Sequence, residues 1–596
     1  MRKLSLGLLC LALFVAGPAS AADLQEWIAY TAPAQDERPP QTGGELAVGT
    51  IVAMSGFFAT DLWGVNSADL DVRALLHGYP TIVWADRRPM FNGTAVKHVD
   101  AQATESGGAL FTMEIAEGLV YNDGTPLTAG DYVFSLLLES SPAVKALGGQ
   151  SRDLRYMQGF GAYQAGETQG FSGVRLLSPT RFALEVGRDA LHNFYGPALL
   201  AVTPYPAAVI APGYEIADDG QGAYLSKDGA ASGLTVELLE KTLLDPAGGY
   251  ARNPRLTSGP YALEDFDLGA GWACFSVNPM FAGDAWGKKP SIEKLTFLRV
   301  DEDAAAEKLA AGEIGLMSKV FNPGVVKRFE ALEGFEKTAY PRTGLAYLAF
   351  GMERGPGADP AVRRAIAMAL DREAFISGRH GLELVSGYYG PGQWMVGEVP
   401  ADALKALDIG FDVQGANTLL GAAERPDSLT IVLARSSQSG LADDVEAMLR
   451  EGLQSIGMEL HVLNLPFDEL LAQAYHQQER GADLYFMATD FAADFDPGVR
   501  FAFGPQERGG HRNITSVQDG ALLMSAEALA NVGFENRSGY IEAWLSFQKS
   551  FMDVLPMIPL YSGNYFDYYD AGLKDYDVLK SGGWAQAIIA ARFEKE

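Results

Sequence analysis

The sequence predicts an α/β fold, and two segments together with the composition carry that prediction. Residues 428–490 show strand and helix patterns in the order β-α-β-α-β, which is typical of a parallel sheet with right-handed crossovers. Residues 111–137 show a strand, a tight turn and a capped helix in succession. With 48% hydrophobic residues in 596, the chain can bury the cores of two or three domains.

The segment 428–490 begins with the apolar run Leu429–Leu433, which predicts a short buried strand. Apolar residues then recur every three or four positions from Leu441 to Ile456, as on one face of a helix that Gly457 ends. A strand, a helix and a third strand follow over Met458–Leu463, Asp468–Ala474 and Ala482–Met487.

The segment 111–137 is the most informative part of the chain at the local level. Apolar residues alternate over Phe111–Ile115, as in a strand with one buried face. Asn122–Gly124 supplies residues that tolerate a positive φ, so the chain turns there. Thr128 with Asp131 three residues later is the pattern of a helix cap. We therefore expect a strand, a turn and a helix over these residues.

The first 22 residues have the pattern of a secretory signal peptide. Arg2 and Lys3 precede the apolar run Leu4–Ala16, and Ala19–Ala21 supplies small residues before a cut after Ala21 or Ala22. The run is shorter than the roughly 20 apolar residues that span a membrane. The proline and glycine content of residues 23–43 predicts a flexible lead-in.

The chain has two cysteines, Cys10 and Cys274. Leu9 stands where lipid attachment at Cys10 would require a small residue, so lipidation is not expected. Removal of the signal peptide leaves Cys274, which excludes an intrachain disulfide.

The formal net charge is −29, which argues against nucleic acid and anionic membranes as partners. A high charge favours solubility or a salty habitat, and the alternative is that it attracts cationic ligands. The seven histidines form no H-E-x-x-H pattern, and no nucleotide-binding glycine loop or G-x-S-x-G elbow occurs. We therefore expect no metal, no cofactor and no catalysis.

Further segments follow one another in one order along the chain. They are Ser258–Tyr261, Val277–Pro279, Lys289–Pro290, Ile292–Phe297, Ala304–Ile314, Leu345–Phe350, Asp359–Phe375, Gly387–Gly392, 428–497 and Val554–Tyr561. Together with 111–137, this order resembles the family 5 extracellular solute-binding proteins, the bacterial peptide- and nickel-binding class. Residues 60–105 and 140–255 match that family poorly, so the resemblance supports the scaffold better than the ligand.

The resemblance implies a two-lobed periplasmic-binding-protein-like fold of class II, cluster C type, with a ligand cleft between the lobes. Lobe I would comprise residues 44–343, with an extra subdomain at about 65–185, and would be completed by 559–596. Lobe II would comprise 344–558. The chain would cross between lobes near 343–352 and 555–562, and closure about these crossings would trap the ligand.

The resemblance also implies where a ligand binds. In peptide-binding members an aspartate after the third distal strand receives the ligand's ammonium, and Asp494 occupies the matching position. A carboxylate in a closed cleft makes a strong charge-assisted hydrogen bond. Asp490 and Asp496 are further ligand-binding candidates, with Asp490 the weaker competitor of Asp494, and Asp494 or Asp496 could instead cap a turn before Pro497.

Other candidates are aromatic or basic. Tyr388, Tyr389 and Trp394 flank a glycine-rich loop that the family places at the cleft, where they would stack on a ligand or pack its wall. Arg435 follows a predicted strand and would meet a ligand carboxylate, or form a salt bridge on the surface.

These observations predict the substrate-binding component of an ABC importer. It would be periplasmic and monomeric, would capture a peptide-like solute and would deliver it to a membrane permease. The same scaffold could carry an oligosaccharide, a metal chelate or an opine, and a secreted hydrolase is a remote alternative.

Overall fold

The computed structural model describes residues 24, 27–33, 43–64, 66–85, 88–149, 154–422, 430–436, 440–475, 480–491, 502–503, 513–534 and 536–594. Among these residues, twelve strands form one sheet that runs through both halves of the molecule. Ten of them follow one another across the sheet in the order Tyr261–Asp267, Trp272–Val277, Lys294–Arg299, Glu45–Thr50, Leu316–Val320, Met557–Asp570, Leu345–Phe350, Leu484–Thr489, Thr430–Ser436 and Glu459–Leu465.

The long strand Met557–Asp570 runs from the lobe II part of this sheet into the lobe I part. Its first residues, 557–561, pair with Leu345–Phe350 of lobe II, and Leu382–Leu384 pairs with residues 561–563. Its last residues, 564–570, pair with Phe335–Pro341 of lobe I. The chain thus crosses between the lobes at residues 342–344 and again at 562–563.

The sheet of lobe II contains the predicted parallel strands. Thr430–Ser436 pairs in parallel with Glu459–Leu465 on one side and with Leu484–Thr489 on the other. Helices Gly440–Ser455 and Phe467–Tyr475 connect them. All five elements predicted over 428–490 and their parallel pairing are confirmed, with boundaries that differ by one to three residues.

Lobe I has its own part of the long sheet and a second core. That core is built on an antiparallel sheet in the order Val96–Ala103, Ala109–Ile115, Arg181–Val186 and Val174–Ser178. Its buried side chains come from positions between Leu24 and Phe281, a wider range than the 65–185 expected for the subdomain. Smaller strand groups of lobe I are Ile82–Ala85 with Arg88–Phe91, Leu573–Lys574 with Arg592–Phe593, and Gly170–Phe171, Tyr214–Asp218 and Ala230–Ala231 around Ala223–Lys227.

The helices cover the faces of these sheets. Those of lobe I are Ser67–Leu76, Ala129–Glu139, Pro142–Ala146, Phe160–Gln164, Arg188–His192, Gly196–Leu200, Ala207–Ile210, Val236–Thr242, Ala305–Ala310, Pro323–Phe329, Val578–Ser581 and Trp584–Ala587. The other helices of lobe II are Pro356–Ala358, Pro360–Met368, Arg372–Ile376, Trp394–Glu398, Ala401–Lys405, Val413–Ala422, Gly520–Ala530 and Arg537–Val554.

The segment 111–137 folds as predicted. The strand is Ala109–Ile115 and the helix is Ala129–Glu139. In the turn between them, Gly124 has a φ of 86° and the backbone N–H of Thr125 donates to Asp123 at 2.8 Å. At the helix start, the backbone N–H and hydroxyl of Thr128 donate to the Asp131 carboxylate at 2.8 and 3.1 Å.

Within the expected flexible lead-in over 23–43, the structure describes Leu24, residues 27–33 and Gly43. Leu24 and Trp27 are 1% and 3% exposed in the second core of lobe I. The Trp27 ring stacks on Phe111 at 5.3 Å, and the Thr31 hydroxyl donates to the carbonyl of Ala285 at 2.7 Å. The proline and glycine content of this segment predicts mobility. Leu24 and Trp27 are nevertheless large apolar side chains, and they pack into the second core of lobe I.

Candidate ligand-binding cleft at the lobe crossings

The two chain crossings lie at the edge of the lobe II sheet where its parallel strands end. Leu345 pairs with Thr489, the last residue of its strand, and Ala346 pairs with Tyr561. The hydroxyl of Ser562 donates to the carbonyl of Gly344 at 2.5 Å, which joins the two crossings. Since ligands of parallel sheets lie at the carboxyl ends of strands, the candidate cleft is at these crossings.

An ion pair links the first crossing to the end of the third parallel strand. Nε of Arg342 donates to Oδ1 of Asp490 at 2.5 Å, and the hydroxyl of Tyr565 donates to Oδ2 at 2.8 Å. The side chain of Arg342 is 9% exposed and that of Asp490 is 45% exposed. The Asp490 carboxylate therefore faces solvent on one side and is held by two donors on the other.

Aromatic rings surround the Arg342 guanidinium. Its Cζ lies 5.3 Å from the ring centre of Phe321 and 5.7 Å from that of Tyr565, both within cation–π range. Burial alone would lower the pKa of Arg342, but the neighbouring Tyr565 and Asp490 outweigh burial and raise that pKa. The guanidinium is therefore a fixed positive charge at the crossing.

The glycine-rich loop 387–392 packs against the first crossing. The backbone N–H of Gly392 donates to the carbonyl of Arg342 at 2.8 Å. A side chain at Gly390 would overlap the backbone of Thr343, and one at Gly344 would overlap the carbonyl oxygen of Thr489. These glycines allow backbone segments to approach more closely than any other residue would permit.

Two of the predicted aromatic residues lie inside lobe II. Tyr388 is 7% exposed, and its backbone N–H and carbonyl bond to the side-chain amide of Gln548 at 2.7 and 3.0 Å. Tyr389 is 6% exposed, and its ring meets Trp544 edge-on at 5.6 Å. Both residues therefore pack among other side chains of lobe II.

Trp394 lies against lobe I. Its indole Nε1 donates to the hydroxyl of Tyr195 at 3.0 Å, and its ring stacks on Phe194 at 5.7 Å. Arg537 covers another part of the ring, with Cζ at 4.4 Å from its centre. This tryptophan therefore contacts lobe I through Phe194 and Tyr195, and its own lobe through Arg537.

Arg435 is engaged within lobe II. Its guanidinium lies 2.7 Å from a carboxylate oxygen of Asp443 and 2.9 Å from one of Glu446, both on the following helix. Its side chain is 10% exposed. The contacts are those of the salt bridge considered as the alternative, with a covered guanidinium and an Asp443 side chain that is 76% exposed.

Asp494 and Asp496 lie outside the described residues, and Asp490 is the one predicted acidic residue that the structure places. Arg342, Tyr565 and Phe321 are site residues that sequence reasoning did not select. The available signal was a basic residue directly before the predicted crossing near 343–352. Its partner Asp490 is 148 positions away, and no local pattern connects them.

In the described part of the chain, no group of three or more His, Cys, Asp or Glu side chains is arranged to hold a metal ion. None of the helices in these ranges combines the length and apolar character needed to cross a membrane.

Residues 98–507 match the family model for the bacterial extracellular solute-binding proteins, family 5, middle region. The chain belongs to this family. Its members are binding proteins rather than enzymes, which confirms the expected absence of catalysis. The resemblance seen in the sequence is thereby confirmed.

Two relatives illustrate the extent of the similarity. The oligopeptide-binding protein AppA of Bacillus subtilis is 21% identical over 455 residues, which cover 73% of this chain and 71% of AppA. The periplasmic murein peptide-binding protein MppA of Escherichia coli is 34% identical over 85 residues, which cover 14% of this chain and 16% of MppA.

Solved structures of the family share the fold. AppA from Bacillus subtilis in complex with a nonapeptide has a TM-score of 0.69 at 16% identity, covering 94% of this chain and 100% of that one. Lactococcal OppA, closed on an endogenous peptide, has a TM-score of 0.72 at 14% identity, with 92% and 100% covered. The periplasmic EDTA-binding protein EppA has a TM-score of 0.71 at 17% identity, with 94% and 98% covered. The predicted two-lobed α/β fold is confirmed.

Proposed function

We propose that this protein is the substrate-binding component of an ABC importer and captures a peptide-like solute between its lobes. One observation above all supports the proposal: both chain crossings lie at the carboxyl ends of the parallel strands of lobe II. A ligand there touches both lobes, so it binds the closed form better than the open form and shifts the protein toward closure. A membrane permease would then recognise the closed form.

Peptide as the ligand class is supported by the relatives. AppA was solved with a nonapeptide, OppA with an endogenous peptide, and DppA of Helicobacter pylori with the peptide STSA. In this chain the segment after the third parallel strand is acidic, with Asp490, Asp494 and Asp496. A carboxylate there complements the ammonium that a free peptide carries.

We propose Asp494 as the partner of the ligand's ammonium. Both carboxylate oxygens of Asp490 already accept hydrogen bonds from Arg342 and Tyr565, so a ligand that used Asp490 would compete with them. Asp494 follows four residues later on the same segment of chain and is the residue that matches the family's position.

Export and monomeric action belong to the same proposal. The signal peptide would be cut near Ala21 or Ala22, just before Leu24, which is buried in lobe I. Two lobes of one chain supply both walls of the cleft, so no second copy is needed. The net charge of −29 repels nucleic acid, so we expect no nucleic-acid partner.

A chelated metal is the second candidate ligand class, because EppA, a periplasmic EDTA-binding protein, shares the fold at a TM-score of 0.71. A thermal-shift screen separates the two classes. A ligand present at 100 times its dissociation constant stabilises the folded state by about 2.7 kcal/mol. We expect stabilisation by peptides among di- to octapeptides, whereas a response to metal chelates alone would favour the second class.

A further inference from the structure

Four aromatic rings join the lobes outside the two chain crossings. Phe194 and Tyr195 come from lobe I, and Trp394 and Tyr540 from lobe II. The ring of Phe194 stacks on Tyr540 at 4.4 Å and on Trp394 at 5.7 Å, and Tyr195 meets Tyr540 edge-on at 5.4 Å. We call these four residues the interlobe seam.

Hydrogen bonds reinforce the interlobe seam. Nε1 of Trp394 donates to the Tyr195 hydroxyl at 3.0 Å, and both side chains are more than 90% buried. Beside it, the side-chain amide of Asn193 donates to the carbonyl of Ala530 at 2.8 Å, again from lobe I to lobe II. A bond between buried groups is costly to leave unmade, because the separated partners need water or a new partner.

The N-terminal segment extends this contact. Trp27 stacks on Phe111 of lobe I at 5.3 Å and meets Phe534 of lobe II edge-on at 5.9 Å. The segment that was expected to be a mobile lead-in therefore contributes a ring to the boundary between lobes.

We propose that the interlobe seam is a latch that sets the balance between the closed and open forms of the lobes, and thereby the affinity for ligand. The four rings lie on two bodies that are joined covalently only at 342–344 and 562–563. Rotation of the lobes about these crossings separates the rings, exposes apolar surface and breaks the Trp394–Tyr195 hydrogen bond.

The latch acts without contact with the ligand. The apparent dissociation constant equals the intrinsic constant divided by the fraction of protein that is competent to bind. A seam that favours the closed form raises that fraction. Trp394 is thus assigned to lobe closure, whereas its position in the sequence predicted either stacking on a ligand or packing of the cleft wall. The effect on affinity rests on the proposed function, whereas the effect on closure does not.

The test measures the distance between lobes in the full mature protein without ligand. Spin labels at the exposed positions Lys241 and Glu451, introduced by Lys241→Cys and Glu451→Cys with Cys274→Ser, report the distance distribution by pulsed electron paramagnetic resonance. The seam variant is Phe194→Ala, which removes a half-buried ring. Tyr195→Phe is the conservative variant, and Phe411→Ala removes a 55% exposed ring of lobe II as the matched control.

We expect Phe194→Ala to shift the distribution toward the more separated form and to weaken peptide binding about tenfold. Tyr195→Phe should shift it less and in the same direction, because it removes the acceptor of the Trp394 N–H and keeps the ring. Phe411→Ala should match the parent. If the distance distributions of Phe194→Ala and Tyr195→Phe both equal that of the parent, the interlobe seam is not a latch, whatever the binding result. Absence of peptide binding by the parent would contradict the proposed function alone.

Discussion

Arg342 and Asp490 form an ion pair across the lobe boundary, with Nε of Arg342 2.5 Å from Oδ1 of Asp490. Arg342 occupies the first chain crossing, and Asp490 follows the last residue of the third parallel strand. The pair therefore connects the segment about which the lobes would move to the edge of the sheet where a ligand would bind.

Removal of the carboxylate should destabilise the protein. Asp490→Ala leaves the 9% exposed Arg342 charge without its partner, but the 45% exposure of Asp490 admits water. We expect a loss of about 1–2 kcal/mol in the free energy of unfolding, measured by urea denaturation. Asp303→Ala breaks the surface pair with Arg328 and should cost less than about 0.5 kcal/mol. Equal losses in the two variants would show that the Arg342 pair is an ordinary surface contact.

Gly344 should tolerate no side chain. The Cβ of Gly344→Ala would overlap the carbonyl oxygen of Thr489, a backbone atom that cannot turn aside. We expect a loss of more than about 2 kcal/mol in the free energy of unfolding, or failure to fold. Gly397→Ala is the matched control, because nothing lies within 4 Å of an added Cβ there. A thermal denaturation midpoint of Gly344→Ala equal to that of Gly397→Ala would show that the crossing is not so closely packed.

Asp567 should stabilise the folded protein less as the pH rises, whereas a paired surface acid stabilises it more. It is fully buried in lobe I and accepts hydrogen bonds from the hydroxyls of Tyr576 and Tyr340, at 2.6 and 3.0 Å, and from the backbone N–H of Lys319 at 2.8 Å. The Lys319 ammonium pairs with Asp71 at 3.2 Å. Burial raises the pKa of Asp567 from 3.8 to about 6, although the hydrogen bonds oppose this.

Between these two pKa values, the folded form of Asp567 holds a proton that the unfolded form has lost. The contribution of Asp567 to stability is therefore greatest below about pH 4, falls as pH rises to about 6 and is constant above that, a change of about 3 kcal/mol. Urea denaturation at a series of pH values gives the free energy of unfolding of the parent and of Asp567→Asn. We expect the parent value minus the variant value to fall as the pH rises from about 4 to about 6. A difference that stays constant or rises with pH would contradict the assignment.

Asp494 should determine affinity for the ligand's ammonium. Asp494→Asn keeps the shape of the side chain and removes its charge, so we expect peptide affinity to fall about 10- to 100-fold, in line with the 1.5–3 kcal/mol of a charged hydrogen bond. Asp402→Asn, at an exposed position of lobe II, is the control and should bind as the parent does. Isothermal titration with one peptide checks both, and an unchanged affinity of Asp494→Asn would remove the ammonium role.

Local patterns in the sequence predicted the local structure well. The alternation over Phe111–Ile115 and the helical spacing from Leu441 to Ile456 each report which face of one element is buried, and both elements form. Such patterns depend on neighbours within a few residues, so they can be read without knowledge of the fold.

Features that depend on distant contacts could not be predicted in this way. The sequence marks Tyr388 as aromatic, but only the fold shows that its ring packs against Phe551 and Phe503 inside lobe II. Trp27 lies in a segment whose composition suggests mobility, and its buried site is formed by Phe111 and other residues far along the chain. Arg342 gains its role from Asp490, which lies in the other lobe.

We propose above all that the cleft captures a peptide by its terminal ammonium. Isothermal titration of the mature protein with a mixture of di- to octapeptides, and with the same mixture after N-acetylation, tests it most directly. The proposal predicts saturable binding of one peptide per protein chain for free peptides and binding at least about tenfold weaker after acetylation. Equal binding of both mixtures would contradict the ammonium anchor, and no heat with either would contradict peptide as the ligand.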